Sequence, residues 1–554
     1  MAQENSIPQF VMTDNSNELE DESDYILEPN RSSGTTDAVD VDHGSEFHLD
    51  DILDAVGGYG RYQMIIHFIC MVALTGEVVQ TLSVVFMGLP SPLITDTNNT
   101  NLSVQDLCKI PKDQRLYLDS DSYSFVVEFD LTCDRAWLAQ MVTSVYFAGS
   151  MIGSLVFGWT SDNYGRRKTL LYIYVAFLII GSFSSLSSNV WLLILLRFAT
   201  GVFTAPAQGL LASLLAEVVP ARHRSNVVVT TFMLLPVALT LLSIIAYLIP
   251  NWKIISLIST APYFAILPIL AMLPESLSWL FIKGRTIEAK KILKKISLWN
   301  KRPLVTNMVN QRPRKVLNER KTNMFHLFCT KDLAINTIVL GIGFFSVATG
   351  YYGMIIGCGN LSKDSSVYIN FFLSSIVELP AYFATCYALQ KYGRKWPNIL
   401  GLAMGAICCL VLAVMPDFNA WSIARVSIGV LGRCFVTVTF LSIVPWTIEL
   451  YPTVIRSQAI GFGYFLSRLG TLVYPWMIGG MKYVHPGGSW ALLGFFLGVA
   501  SLLMMILSEA KDQSLPNFIP GMEMSDDMMK DDDQESGKDT NIDGSHEEKL
   551  IAFI

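Results

Sequence analysis

The chain has 554 residues, 51% of them hydrophobic and 16% charged, with a formal net charge of −7. A soluble chain of this length would divide into several domains with polar linkers. Here the apolar residues gather in long blocks, which excludes that class, and the acidic balance leaves no expectation of a nucleic-acid partner.

Residues 1–54 are acidic and poor in aromatics, the composition of a solvated, disordered tail. The first apolar stretch begins near Tyr62 and is long enough to span, so no cleavable signal peptide is expected. Crossing the hydrocarbon core takes roughly 20 mostly apolar residues. Twelve spans are predicted near Tyr62–Leu89, Trp137–Trp159, Leu170–Ser187, Trp191–Ala216, Val227–Ile249, Ile254–Leu273, Leu333–Gly357, Val367–Leu389, Trp396–Met415, Ala420–Trp446, Ser457–Gly480 and Trp490–Leu507. They must be helices, because unpaired backbone in lipid is heavily penalised. The expected fold class is an all-α membrane protein. Its order is a six-helix half at 55–273 with a first outer loop at 90–136, a linker at 274–332, a second six-helix half at 333–508, and an acidic tail at 509–554.

Lys and Arg in short loops set the orientation. Arg166, Arg167 and Lys168 follow span two, Arg222 and Arg224 follow span four, and Lys391, Arg394 and Lys395 follow span eight. The opposite short loops hold only Lys253 and Lys363. Both tails and the Lys/Arg-rich linker are therefore expected in the cytoplasm. The outer loop carries the sequons Asn98-Asn99-Thr100 and Asn101-Leu102-Ser103, making Asn98 and Asn101 candidate glycosylation sites. Cys108 and Cys133 share that loop and are candidate disulfide partners. The other cysteines lack metal-ligand spacing. The final Ala552-Phe553-Ile554 is a candidate strand for a peptide-binding partner domain.

The halves repeat. Tyr164-Gly165-Arg166-Arg167 recurs as Tyr392-Gly393-Arg394-Lys395, and Arg197-x-x-x-Gly201 recurs as Arg425-x-x-x-Gly429. Glu217-x-x-Pro220-x-x-x-Arg224-Ser225 recurs as Glu449-x-x-Pro452-x-x-x-Arg456-Ser457. Parallel six-span repeats place a substrate site between the halves near the bilayer midplane. Within the linker, Arg285–Leu298 has helical spacing, with Ile287, Ile292, Leu293 and Ile296 apolar between lysines, and is predicted to lie on the cytoplasmic face.

These motifs resemble a known family. Gly158-x-x-x-Asp162-x-x-Gly165-Arg166-Arg167-Lys168 is similar to the signature loop after span two of the major facilitator superfamily, and the chain resembles its organic ion transporters over about Leu49–Leu507. Asp50-Asp51-Ile52-Leu53 through Gly60-Arg61-Tyr62-Gln63, Glu128-Phe129-Asp130-Leu131-x-Cys133-Asp134, Pro274-Glu275-Ser276 and Glu449-Leu450-Tyr451-Pro452-Thr453-Val454-x-Arg456 carry that likeness. It implies a major facilitator fold, a plasma-membrane location and a functional monomer. Asp162, Gly165, Arg166, Arg167, Glu217, Arg224, Arg394, Glu449 and Arg456 are then expected to act in gating. Gln390 stands where Asp162 would recur, and Ser278 where the family usually has Arg, so those contacts should be weaker.

A charge at mid-membrane needs a counter-charge or a function. Glu77, Glu378, Arg433 and Arg468 are the deepest candidates. By resemblance, the Arg468 position is acidic in cation carriers and Arg in anion and carnitine carriers, and a desolvated guanidinium favours a carboxylate. Tyr464 lies one turn earlier on that face. Glu378 is expected to oppose the basic groups, which suits a zwitterion, while an internal ion pair is the alternative for Arg433. Phe344 and Tyr351, two turns apart on span seven, and Gln208 on span four fall at the family's cavity positions; ring faces there suit a quaternary ammonium. Ala205 stands where some cation carriers have Lys.

The expected function is therefore secondary or facilitative transport of small organic anions or zwitterions such as carnitine-like betaines, with Glu77 the candidate site for a coupling Na⁺ or proton. The alternatives are an organic cation carrier, a sugar porter and a non-transporting receptor of the same fold. Sugar porters share the turn motifs, but span seven has no Gln-Gln-x-x-Gly. No nucleotide loop, metal cluster or nucleophile–base motif points to an enzyme or to a cofactor.

Overall fold

The computed structural model describes residues 49–89, 93–94, 116–117, 123–302, 324–361, 366–416, 419–451, 455–485 and 487–509. Among these, ten helices are long and apolar enough to cross a membrane. They are Arg61–Met87, Cys133–Tyr164, Arg166–Ser184, Val190–Val218, Arg222–Leu248, Trp252–Leu270, Lys331–Gly359, Val367–Tyr392, Lys395–Val414 and Ser422–Leu450. The two other expected spans are also helical. Span eleven, Arg456–Val484, has the length, but Tyr464, Arg468, Tyr474 and Pro475 make it less apolar. Span twelve, Gly488–Met504, is apolar but has only 17 residues. Outside the helices, a two-residue antiparallel ladder pairs Leu93–Ile94 with Leu116–Tyr117 in the first long loop.

Spans two and four pack backbone to backbone. A Cβ on Gly149 or Gly153 would collide with the carbonyls of Phe198 or Val202, and one on Gly201 with that of Tyr146. In lipid, where burial of apolar surface drives little, such close approach supplies the packing. Spans seven and eleven approach in the same way at Gly470, whose Cβ would meet the Phe345 carbonyl at 2.7 Å.

Two segments outside the expected halves belong to the packed fold. The helix Leu49–Ala55 buries Ile52 and Leu53 and ties Asp50 to Arg224 and Asp54 to Arg222, each at 3.0 Å. The linker helix Thr286–Asn300 buries Ala289, Leu293 and Ile296 and leaves Ile287 exposed. At its end, Asn300 accepts from the Tyr62 N–H (3.1 Å) and donates to the Val56 carbonyl (3.1 Å) and Gln63 Oε1 (2.9 Å). The linker helix is therefore fastened to the start of span one.

On the opposite face, Tyr123 pairs with the turn before span six, and Glu128 accepts from Trp252 Nε1 (2.6 Å) and Lys253 Nζ (2.7 Å). We refer below to this side as the loop face and to the side with the Gly-Arg turns as the turn face.

Gly153→Val should force spans two and four apart. Overpacking of this kind costs about 1–3 kcal/mol, so the purified variant should melt below wild type and reach the membrane in smaller amounts. An unchanged melting temperature would remove the close-approach argument.

Candidate functional site

The deepest charges form two separate pairs: of the basic groups that Glu378 was expected to oppose, it meets Arg433, in the internal ion pair given as the alternative for that residue, and not Arg468. Arg468 of span eleven faces Glu77 of span one across the boundary between the halves, with Nη2 3.7 Å from Glu77 Oε1. The same Nη2 donates to Gln208 Oε1 of span four at 3.0 Å, and the Tyr352 hydroxyl is a further partner of the guanidinium. Both charged side chains are nearly enclosed, at 9% and 4% exposure, and Glu77 Oε2 is buried without a hydrogen-bond partner. A buried carboxylate oxygen with no donor is expensive to keep, which marks this as an incompletely satisfied site.

Glu378 is instead consumed inside the second half. Its Oε1 accepts from Arg433 Nε (2.7 Å) and Thr437 (3.3 Å), and its Oε2 from the Tyr351 hydroxyl (3.4 Å). Arg433 also lies over the Tyr351 ring, 5.6 Å from its centroid. Spans eight and ten are neighbours here, so the two charges pair locally, while Arg433 Nη1 and Nη2 are buried without hydrogen-bond partners. Glu378, Arg433 and Tyr351 do not line the cavity described next; nor do Arg468 and Glu77, although Gln208, Tyr464 and Ser467 beside Arg468 do.

That cavity lies between the halves. Gln208, Val229 and Phe232 come from the first half, and Phe344, Val347, Phe440, Tyr464 and Ser467 are among those from the second. Span four enters from the loop face and span five from the turn face, so Gln208, Val229 and Phe232 all sit toward the turn side. The walls are mainly apolar, with Phe344 and Tyr464 edge to face at 6.1 Å. Tyr351 stands behind Phe440, stacked on it at 4.4 Å. Phe232 and Phe440 were missed in the sequence because an aromatic in an apolar span carries no mark of which way it points.

Toward the loop face the halves are in contact. Phe86 packs on Tyr368 (5.4 Å, stacked) and Phe371 (4.8 Å), Tyr247 on Tyr368 (5.7 Å), and Ser243 donates to the Tyr368 carbonyl at 2.7 Å. Below this plug, Phe147 meets Tyr352 edge to face at 5.6 Å.

On the turn face the repeated motifs assemble alike in both halves. Arg166 pairs with Glu217 at 2.9 Å, and Arg394 with Glu449 at 2.7 Å. Asp162 is 73% exposed and 3.9 Å from Arg166; its carbonyl accepts from Trp279 Nε1 at 2.8 Å. The Arg167 guanidinium donates to the Ala271 carbonyl, Arg224 Nε to the Ala216 carbonyl (2.8 Å), and Arg456 to the Tyr451 carbonyl (3.4 Å).

A further repeat was not legible as a motif. Glu275 accepts from the Arg167 N–H at 3.0 Å, while Glu509 accepts from the N–H groups of Arg394 (2.9 Å) and Lys395 (3.0 Å). Each carboxylate thus sits at a helix N-terminus, where negative charge is stabilised. Gly165 (φ +104) and Gly393 (φ +83) leave room for them: a Cβ there would come within 2.6 and 2.7 Å of those carboxyl groups. Glu509, the first residue of the expected tail, therefore belongs to the folded half. The turn-face ion pairs among the described residues each stay within one half.

Cys133 is disulfide-bonded. Its proposed partner Cys108, the sequon residues Asn98 and Asn101, and the tail segments 1–48 and 510–554 lie outside the described residues. Among the described residues, no group of three or more His, Cys, Asp or Glu is placed to hold a metal ion.

This arrangement of two repeated halves around a central cavity can now be set beside known proteins. The family model described as "Sugar (and other) transporter" matches residues 69–515. The chain belongs to this family. Its curated relatives include members of solute carrier family 22 and an organic cation transporter. Human solute carrier family 22 member 13 is 28% identical over 77% of this chain and 76% of its own. Rat solute carrier family 22 member 2 is 28% identical over 72% of each. Organic cation transporter 1 of Caenorhabditis elegans is 27% identical over 86% of this chain and 88% of its own. Among solved structures, the proton:xylose symporter XylE bound to 6-bromo-6-deoxy-D-glucose superposes with a TM-score of 0.61 at 19% identity, over 82% of this chain and 98% of that one. The partially occluded, inward-open XylE of Escherichia coli gives 0.59 at 20% identity, over 82% and 100%. The chain is thus a multi-pass membrane transporter with the major facilitator fold.

The internal pair has a separable signature. Arg433→Met leaves Glu378 buried and unpaired, which costs about 3–5 kcal/mol, whereas Arg433→Met combined with Glu378→Leu removes both charges. Thermal unfolding in detergent should show the double variant more stable than the single one. The reverse order would mean that the two residues do not act mainly as each other's counter-ion.

Proposed function

We propose that this transporter carries small organic ions bearing a carboxylate, either anions or zwitterions such as carnitine-like betaines. The supporting observation is Arg468: a guanidinium at the junction of the halves, held by Gln208, one turn from the cavity residue Tyr464. A planar, always-charged donor in a desolvated site recognises a carboxylate well. The apolar and aromatic walls beside it suit a substrate with an apolar or quaternary-ammonium body. In this reading the halves rock about the site by alternating access. The aromatic contacts at Phe86, Tyr247, Tyr368 and Phe371 close the loop side, and the cavity occupies the turn side.

Organic cation transport is the second reading, because the unpartnered Oε2 of Glu77 would accept an ammonium. The two separate in one assay. Cells expressing wild type or Arg468→Ala at equal surface level are given a labelled betaine, an aromatic carboxylate and a tetraalkylammonium. Carboxylate uptake should fall about a hundredfold in the variant, as expected when a desolvated charge-assisted contact of several kcal/mol is lost. Tetraalkylammonium uptake alone, untouched by the substitution, would make the cation reading correct.

We also place the turn face in the cytoplasm and the protein in the plasma membrane, on the strength of the Lys/Arg bias and the two sequons. Glycosidase treatment should increase the mobility of wild type and leave the Asn98→Gln/Asn101→Gln variant unmoved. A wild-type band that does not shift counts against this orientation.

A further inference from the structure

The pair that joins the halves also constrains what can cross with the substrate. With Glu77 ionised, it and Arg468 sum to zero charge, with Nη2 and Oε1 3.7 Å apart. A substrate carboxylate that takes Arg468 as its counter-ion leaves Glu77 without one, and the site then carries one net negative charge. Gln208 holds the guanidinium independently, so Arg468 stays in place when Glu77 is displaced. Among the described residues, Glu77 forms an ion pair with no cation other than Arg468. Facing it are the tyrosines Tyr146 of span two, Tyr174 of span three, Tyr263 of span six, Tyr352 of span seven and Tyr464 of span eleven. Arg197 of span four lies over the Tyr146 ring, 5.4 Å from its centroid, with Nε and Nη1 buried and without hydrogen-bond partners, and it is not within ion-pair distance of Glu77. Glu77 Oε2 already lacks a donor before any substrate arrives. An unpaired charge at this depth is strongly disfavoured.

We infer that each carboxylate crosses together with one positive charge delivered to Glu77, so that the transported load is electrically neutral. In a zwitterion the charge is the substrate's own ammonium. With a plain carboxylate it is a proton or Na⁺ taken from the side of entry and released on the other. No bond of the substrate is made or broken; in the proton case, one O–H bond forms on Glu77 and is given up after reorientation. This rests on the reading of Arg468 as the carboxylate anchor, and it assigns Glu77 as the second half of the same site.

The test uses the full-length chain in voltage-clamped cells, with tracer flux and current recorded together and uptake in cells lacking the carrier subtracted. A labelled trimethylammonium carboxylate and a labelled aromatic monocarboxylate are compared from mildly acidic to mildly alkaline medium, with and without sodium. The betaine should enter without current and without pH or sodium dependence. The monocarboxylate should also enter without current. Its uptake should rise about tenfold per unit fall in pH while Glu77 is mostly ionised, or collapse without sodium. Glu77→Gln should abolish that dependence and lower the ratio of betaine to monocarboxylate uptake about tenfold or more.

Monocarboxylate entry in wild type with one net negative charge per molecule, indifferent to pH and sodium, would overturn the inference, and this readout needs no variant to fold. Arg468→Ala separates the two levels. If it spares carboxylate uptake, the anchor itself is misassigned. If it abolishes uptake while wild type carries net charge, the anchor stands and only the neutral-load rule falls.

Discussion

A buried charge in a low-dielectric membrane must find a partner, and the organisation of this protein follows from where its partners are placed. Arg433 finds Glu378 inside the second half, with both side chains essentially unexposed (1% and 0%) and the carboxylate's remaining capacity taken by Thr437 and Tyr351. Arg468 finds Glu77 in the other half, at a looser 3.7 Å. The first pair can persist through a motion that keeps its half rigid. The second cannot be indifferent to such a motion, because its partners ride on different bodies. Two arginines only 35 positions apart in the chain therefore have different physical roles, decided by which half holds the counter-charge.

Rigid halves require that contacts within each be stronger than those between them. The turn face meets this requirement twice over: Arg166–Glu217 and Arg394–Glu449 join spans three and four and spans nine and ten. Glu275 and Glu509 then cap the helices that begin at these turns. Each network brings together the end of one span, the start of the next and the segment following the sixth or twelfth, so it clamps a half from three sides. Contacts between halves are of another kind. Among the described residues at the loop face they include aromatic rings and a hydrogen bond to a backbone carbonyl, which separate without stranding a charge.

The fold was legible because lipid simplifies the code. Apolar blocks of the right length had to be helices, and three paired motifs revealed the repeat. The approach of Leu49–Ala55 and the role of Glu509 were not legible, since an acidic stretch reads as a solvated tail until the basic groups and free N–H donors it meets are placed in space. The site was partly legible for a related reason. Gln208, Phe344 and Tyr464 line the cavity; the first two were singled out through resemblance and Tyr464 by its helical spacing from Arg468. Glu378 was set against the basic groups by charge type, which carries no distance and so could not choose between Arg433 and Arg468. Spans eight and ten are adjacent, so Glu378 met Arg433 first. Glu77 was read alone as an ion site because nothing in span one indicates that span eleven faces it.

The cavity's composition bears on which substrates this geometry can select. An ion whose body is small and fully hydrated would gain little from walls built of Phe232, Phe344, Val347 and Phe440, and would have to shed its water against them. An ion with a carboxylate at one end and an apolar or quaternary body returns that cost, since the body removes apolar wall from water while the carboxylate exchanges hydration for a guanidinium already fixed by Gln208. Burial of the body is non-directional and tolerates many shapes. The guanidinium contact is directional and tolerates few charges. If Arg468 is the carboxylate anchor proposed above, a site that combines the two should discriminate sharply by charge and loosely by shape, with residues 468 and 77 constraining the substrate's electrostatics more tightly than any wall residue constrains its size.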